Sequence, residues 1–239
     1  MISIKEKSCK GIGIAKGNGC GELTYKRTYG LCQKCNRIWA TTTDIGMIWL
    51  KKQTAYKMKR NEKEEKKQNR SEHNKMKIDF MSADKYRSIY VQPLINKIAR
   101  FIDYGNPCTA TGNFEGKMAG GHYTSVGSNR TICLNLHNIF IQSFHSNSWN
   151  GGDDKRYREG LKNTFGDDYL DFVESLKGHR PIQLRKDQLI DIKNKAQIIV
   201  NSLEKNKRVL TSSERITFRN NVNAELEIYD EEFCEFIKI

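Results

Sequence analysis

The chain has 239 residues, with 41 Lys and Arg against 28 Asp and Glu for a formal net charge of +13, seven Cys and three Pro. That length holds one ordinary domain or two small ones, and a hydrophobic share of 37% excludes a large buried barrel and implies that part of the chain is solvated helix or linker. No stretch approaches the roughly 18 consecutive apolar residues of a membrane span; residues 1–10 are charged from Lys5 onward with no apolar signal core, so a cytoplasmic protein with no membrane partner is expected.

Four Cys fall near the start of the chain, as Cys9, Cys20, Cys32 and Cys35, among Gly11, Gly13, Gly17, Gly19, Gly21 and Gly30. A segment this rich in Gly and poor in apolar side chains cannot build its own core, and a tetrahedral thiolate site is the natural way for it to fold. With no secretion signal, reduced thiols and metal ligation are favoured over disulfides. A zinc ribbon in a module spanning 1–50 is therefore expected, holding structural Zn2+ on the four Cys. The Cys32-Gln33-Lys34-Cys35 knuckle carries that reading, the ten-residue gap after Cys9 is long for it, and unpaired Cys in a flexible arm is the alternative.

Residues 51–80 come next. Between 51 and 77 there are eleven Lys and Arg against four Glu, with no Gly or Pro, which reads as a solvated helix or a partly disordered arm. Lys57, Lys59, Arg60, Lys63, Lys66, Lys67 and Arg70 are its candidate phosphate contacts; a linker kept soluble by its charge is the plain alternative.

Ser82 is placed to cap a helix with Tyr86, Ile89, Tyr90, Leu94, Ile98 and Phe101 on one face, kinked or restarted at Pro93. Gly105, Asn106 and Pro107 close it. A short block rich in Gly, Asn and Ser follows from Cys108 to about Asp154, with Gly120-Gly121-His122-Tyr123 and then Leu136-His137-Asn138-Ile139-Phe140-Ile141-Gln142-Ser143-Phe144-His145-Ser146-Asn147. Imidazole is the usual general base near neutral pH, and an Asn carbonyl can orient it by accepting its second N–H. Two short helices, 157–165 and 167–176, and a longer one over 185–203 with Leu189, Ile192, Ala196, Ile199, Val200 and Leu203 as its stripe complete the domain expected at 81–205. The remaining residues, 206–239, carry six acids against Lys238 from position 223 onward and read as an acidic extension that folds back on a nucleic-acid face, binds a partner, or simply stays solvated.

The stretch from Asn106 to Leu176, with Asn-Pro-Cys, Gly-Gly-His-Tyr, Asn138-Ile139, Gln142, Ser146-Asn147, Gly151, Tyr157, Leu161, Gly166 and Glu174-Ser175-Leu176, resembles the phage recombination family called NinG or Rap. The likeness extends more broadly over 51–205. It implies a Holliday-junction or branched-DNA endonuclease with an HNH-like ββα-metal site, encoded by a phage and working in the bacterial cytoplasm. Together with the zinc ribbon read from the Cys pattern, the expected architecture is α+β: an N-terminal zinc ribbon, a basic helical arm, and the small ββα-metal (HNH-like) nuclease core, flanked by helices, that the resemblance implies. Carried over by position, the resemblance makes His122 the base, Asn138 the middle letter of the HNH pattern, and Asn147 a ligand of a catalytic Mg2+ or Mn2+ together with His122. His145, Asp153 or Asp154 could add to that ligation.

Two departures bear on this. Where the family commonly has two Cys-x-x-Cys knuckles around a zinc, this chain keeps Cys108 but has Thr111, Ser143 and Ser146. Hydroxyls are poor zinc ligands, so the hairpin ends are expected to be held by packing of Phe140, Ile141 and Phe144, or by a substitute site built from Cys108, Cys133, His137 and His145. The family's Lys-Ser-Gly-Asn is here Asn150-Gly151-Gly152-Asp153, which removes a phosphate-binding Lys. His122 capping a turn, Asn138 holding a hairpin, His137 and His145 as structural or surface groups, and Tyr123 and Phe144 as core are the plain readings beside these.

Three functions remain in view. The first is a metal-dependent endodeoxyribonuclease for branched recombination DNA, with a homodimer favoured if a symmetric junction is resolved. The second is a non-catalytic, structure-selective DNA-binding factor on a degenerate HNH fold. The third is a zinc-ribbon protein whose acidic end recruits a phage or host recombination protein.

Overall fold

The computed structural model describes residues 6–25, 28–114, 116–149 and 154–237, with the backbone alone for 147–149 and 154. The described residues are helix-rich with two small antiparallel sheets, and the chain divides into two units, Met1–Asp79 and Phe80–Ile239, each taken by itself. No described helix is long and apolar enough to cross a membrane.

In the first unit, β1 (Lys7–Ser8) pairs with β2 (Leu23–Thr24) through Lys7↔Thr24 and Ser8↔Leu23. The pairing folds the long gap between Cys9 and Cys20 into a loop: Cys9 N donates to Glu22 O and Gly21 N to Cys9 O, both at 2.8 Å. Gly19 permits this approach, because a Cβ there would lie 2.1 Å from Cys9 O. Helix α1 (Gln33–Thr42) is capped by Cys32, whose sulfur accepts from Cys35 N. After Thr43 the chain turns into α2 (Asp44–Asp79), a single helix of 36 residues and so about 54 Å long. Tyr29, Trp39 and Trp49 stack edge to face or tilted, with centroids 5.4–5.7 Å apart, where α1 meets α2. Past that cluster α2 is solvated: its seven candidate DNA contacts are all exposed.

The second unit begins with Ser82, whose hydroxyl accepts from Lys85 N to cap α3 (Ala83–Tyr86). A π-helical stretch, Arg87–Val91, then leads into α4 (Gln92–Ile102), with Pro93 in its first turn and the backbone helical across the junction. Strands β3 (Met118–His122) and β4 (Ile139–Ser143) pair from Met118↔Ser143 to His122↔Ile139. β3 lies close on α4, since a Cβ on Gly120 would come 2.7 Å from Asn96 O. The chain continues through α5 (Phe144–Trp149), α6 (Asp154–Phe165), α7 (Asp167–Ser175), α8 (Lys186–Lys205), α9 (Ser212–Leu226) and α10 (Glu231–Cys234).

The core of this unit gathers Cys108, Phe140, Tyr157, Leu161, Tyr169, Leu170 and Val173. Phe140 and Ile141 are buried in the hairpin as expected, but Phe144 is 54% exposed and is not part of that buried core. α6 presses on the Cys108–Gly112 turn at Gly160, where a Cβ would sit 1.6 Å from Thr109 O. Gly160→Ala is expected to lose about 1–3 kcal/mol or more through forced separation of these segments, read as a lower midpoint in thermal unfolding.

Over the described residues 206–237 the segment is packed rather than a solvated extension. Thr211 and Glu214 form a capping box that starts α9, and Arg215, Arg219, Val222, Asn223 and Leu226 are buried along it. Leu136 N donates to Asn223 Oδ1, Leu134 N to Tyr229 Oη, Asn135 Nδ2 to Phe233 O and Phe236 N to Asn220 Oδ1. The end of the chain thereby braces the long loop between β3 and β4. The acids of this segment lie on its outer side: Glu225, Glu227, Glu231 and Glu232 are exposed.

Candidate functional site

His122 closes β3 and is half-buried. Its Nε2 lies 2.9 Å from Cys133 O and 3.1 Å from Gln92 Nε2. The roles follow from Gln92: Arg87 Nη1 donates to Gln92 Oε1 (3.4 Å), so the Gln92 amide points its NH2 at Asn96 Oδ1 (3.0 Å) and Cys133 O (2.9 Å). Both amide protons are used, and His122 Nε2 must itself carry the proton it shares with Cys133 O. That tautomer leaves the lone pair on Nδ1, which has no hydrogen-bond partner among the described residues. Burial holds the imidazole below its ordinary pKa, with the Arg87 charge acting the same way and the Cys133 carbonyl opposing both. The ring is accordingly neutral at neutral pH and has one nitrogen ready to accept a proton. The π-helical turn is what sets Arg87 and Gln92 within reach, in keeping with the placement of such turns at functional sites.

Asn138 has a different task from the one expected of its carbonyl. It is fully buried, and its Oδ1 accepts from Thr124 N (2.8 Å) while its Nδ2 donates to Thr124 O (3.0 Å). Tyr123 N donates to Asn138 O. The side chain locks the turn that follows His122; the acceptor for the imidazole N–H is Cys133 O. Cys133 also offers its sulfur to Arg87 Nη1 at 2.9 Å.

His137 is buried between Tyr169 Oη (2.8 Å from Nδ1) and Cys234 O (2.9 Å from Nε2), and burial pushes its pKa down to about 3. It is a neutral structural group. Tyr123 is half-buried against Tyr157, and its hydroxyl donates to Glu174 Oε1 at 2.8 Å. His145 is exposed on α5; the side chains of Asn147, Asp153 and Asp154 lie outside the described residues. Cys108, Cys133, His137 and His145 do not converge: among the described residues only Cys9, Cys20, Cys32 and Cys35 gather as a group that could hold a metal. The substitute metal site is thus corrected to separate hydrogen-bonded positions.

The degenerate clamp is closed by hydrogen bonds. Ser143 N donates to Cys108 Sγ (3.2 Å), Ser146 N to Ser143 Oγ (3.2 Å) and Gln142 Nε2 to Ser146 Oγ (3.3 Å). Burial alone would raise the Cys108 pKa, but hydrogen bonds from the Thr111 hydroxyl and from the Ser143, Thr111 and Ala110 N–H groups outweigh it and lower it. Thr109 N adds a bond to Ile141 O at 2.9 Å, so the Cys108 turn is tied to β4 through its backbone.

The N-terminal quartet has the dimensions of a metal site. All four sulfurs lie within 4.8 Å of one another, with Cys20 and Cys32 at 3.9 Å; tetrahedral Zn–S bonds of ~2.3 Å imply sulfurs ~3.8 Å apart. Donation from Cys32 and Cys20 N–H groups brings Cys9 down to about 7 against its burial, while the neighbouring sulfur of Cys32, aided by burial, pushes Cys35 up to about 12. Four thiolates this close need a cation to ionise together, and the donor set suits a structural zinc.

Residues 5–206 match a family model described as Bacteriophage Lambda NinG protein. No curated protein and no solved structure matches the chain.

Proposed function

The chain belongs to the bacteriophage NinG family, which places it in phage recombination, and from that premise we propose that its second unit is a divalent-cation-dependent endodeoxyribonuclease for branched recombination DNA, with His122 as general base. The supporting observation is the 2.9 Å contact of His122 Nε2 with the Cys133 carbonyl, an acceptor that favours the proton on Nε2. With the Nε2 proton committed to Cys133 O, Nδ1 accepts a proton from water as the water oxygen attacks phosphorus, and the opposite P–O bond breaks. Asn138 acts as a positioning residue for the turn beside the imidazole. The order β3, long loop, β4, α5 is the arrangement expected of an HNH-like ββα core.

Mg2+ or Mn2+ would supply charge neutralisation at the phosphate and leaving oxygen. The described side chains gather no ligand set for such an ion, and no step above runs through it. In this reading the zinc module and the Lys57, Lys59, Arg60, Lys63, Lys66, Lys67 and Arg70 face of α2 add affinity for DNA that falls with salt. The host cytoplasm is the place of action.

The test is a cleavage assay on linear, forked and four-way DNA with Mg2+ or Mn2+, comparing the wild type with His122→Ala. The variant is expected to lose ~10²–10⁴-fold in rate; wild-type-like cleavage by it overturns the assignment. The absence of a second ligand group among the described residues favours one other reading, a non-catalytic junction-binding factor. That reading requires that no cation yield cleavage while junction binding survives His122→Ala.

A pH dependence also follows. The base must be unprotonated, and its pKa is depressed, so the acid limb of kcat/KM is expected below the ordinary imidazole value of about 6.5. Arg87→Met removes a positive charge and should move that limb upward.

A further inference from the structure

Beside the turn that follows β3 lies an open cleft with cations on one wall. The turn after β3 contributes Thr124, Ser125, Ser128 and Asn129, and the opposite wall contributes Lys155 and Arg158 of α6 and Lys177 just beyond α7, over a floor formed by Tyr123. Among the described residues no carboxylate lines it. Glu174 sits behind the wall, where it ties Arg158 at 2.9 Å and accepts from Tyr123 Oη. Lys155 has no acidic partner among the described residues, and the Lys177 ammonium stands 5.7 Å from the Tyr123 ring centroid. All three cations reach solvent. Ser125 and Ser128 share a hydroxyl hydrogen bond of 2.8 Å.

We propose that this cleft is the track on which the unit holds the phosphodiester backbone of its DNA. The assignment rests on reading the second unit as acting on DNA, and it adds a surface distinct from the α2 arm. Three considerations carry it. The cleft is lined by cations and small hydroxyl or amide side chains, the groups that bind phosphate and sugar without reading sequence. Its turn wall is held in place, because Asn138 grips both backbone groups of Thr124, so little ordering cost falls on binding there. Lys155 and Lys177 further supply, from new positions, the positive charge absent from the Asn150-Gly151-Gly152-Asp153 segment.

The experiment measures binding of the zinc-loaded full chain to a labelled fork without added divalent cation, across a salt series. The wild type is compared with Lys155→Gln/Lys177→Gln and with Lys66→Gln/Lys67→Gln on α2. Each phosphate contact contributes about 0.9 to the slope of log K against log salt. The cleft variant should therefore lower the slope by about 1.8 and weaken binding roughly 60-fold at 0.1 M salt. An unchanged slope and affinity in a cleft variant that melts like the wild type overturns the proposal, whatever the α2 variant does. The two readings separate cleanly. Weaker binding by the cleft variant in a protein that never cleaves keeps the track and removes the nuclease, while His122-dependent cleavage with an unaltered slope keeps the nuclease and removes the track.

Discussion

Cys32→Ser is expected to release the zinc of the first unit and unfold the module around it, leaving the second unit to melt as before. The module's buried apolar side chains are few: Cys9, Ala15, Leu31, Trp39 and Ala40, with Tyr29 and Trp49 packed against them. Such a core cannot offset the conformational entropy of about forty ordered residues at ~1–2 kcal/mol each. Structural zinc supplies an apparent ~10–16 kcal/mol in small metal-folded modules, the largest single stabilisation available to this chain. Cys32 is the most damaging of the four to lose. Its sulfur caps α1 through Cys35 N, faces Cys20 at 3.9 Å, and its N–H donates to Cys9 Sγ at 2.9 Å. Metal analysis should give one zinc per chain in the wild type and none in the variant, and emission from Trp39, 2% exposed in the folded module, should shift to the red. A chelator should do the same to the wild type, reversibly. Retained zinc, or an unshifted Trp39 after zinc is lost, would remove the metal from the account.

What the sequence disclosed, and what it hid, divides along physical lines. Apolar periodicity located α4, α6, α7 and α8 to within a few residues, because each buries a hydrophobic stripe against the rest of the unit. Cys spacing located the quartet, because thiolates at knuckle separation have few other uses. α9 was missed, although Thr211-Ser212-Ser213-Glu214 is a capping-box signal: its buried face begins with Arg215 and Arg219 and includes Asn223, which a hydrophobicity pattern scores as surface. The support of His122 was hidden for another reason. Its proton acceptor is a main-chain carbonyl, that of Cys133, and the Arg87–Gln92 pair that orients it is delivered by a π-helical turn, neither of which has a residue signature. Lys155 and Lys177 were legible only as scattered charges until α6 and the end of α7 came together across from the Ser125 turn.

Asp103→Asn is expected to be the most destabilising single substitution in the second unit. Asp103 follows α4 and is fully buried; its Oδ2 accepts from Ile141 N (2.8 Å) and Arg219 Nη2 (2.7 Å), and its Oδ1 from Arg215 Nη1 (3.4 Å). Arg219, also fully buried, spends its remaining donors on Leu136 O, Ile139 O and Arg215 O, with its guanidinium 4.5 Å from the Phe140 ring centroid. One carboxylate thus joins α4, β4 and α9, and the amide substitution keeps its shape while removing its charge. Two guanidinium groups then stay in the interior uncompensated, at a cost of ~3–5 kcal/mol. For a unit of this size that lowers the thermal midpoint by roughly 10 °C, and salt should restore little of it because the charges are out of reach of counterions. Exchanging all three groups for apolar residues, Asp103→Leu with Arg215→Met and Arg219→Met, should recover most of the loss, since a buried ion cluster gains little over good packing. Family similarity ends at residue 206, while both arginines lie beyond it. If the single variant melts like the wild type, the last thirty residues do not brace β4, and the hairpin that carries His122 must be held by α4 and the Cys108 turn alone.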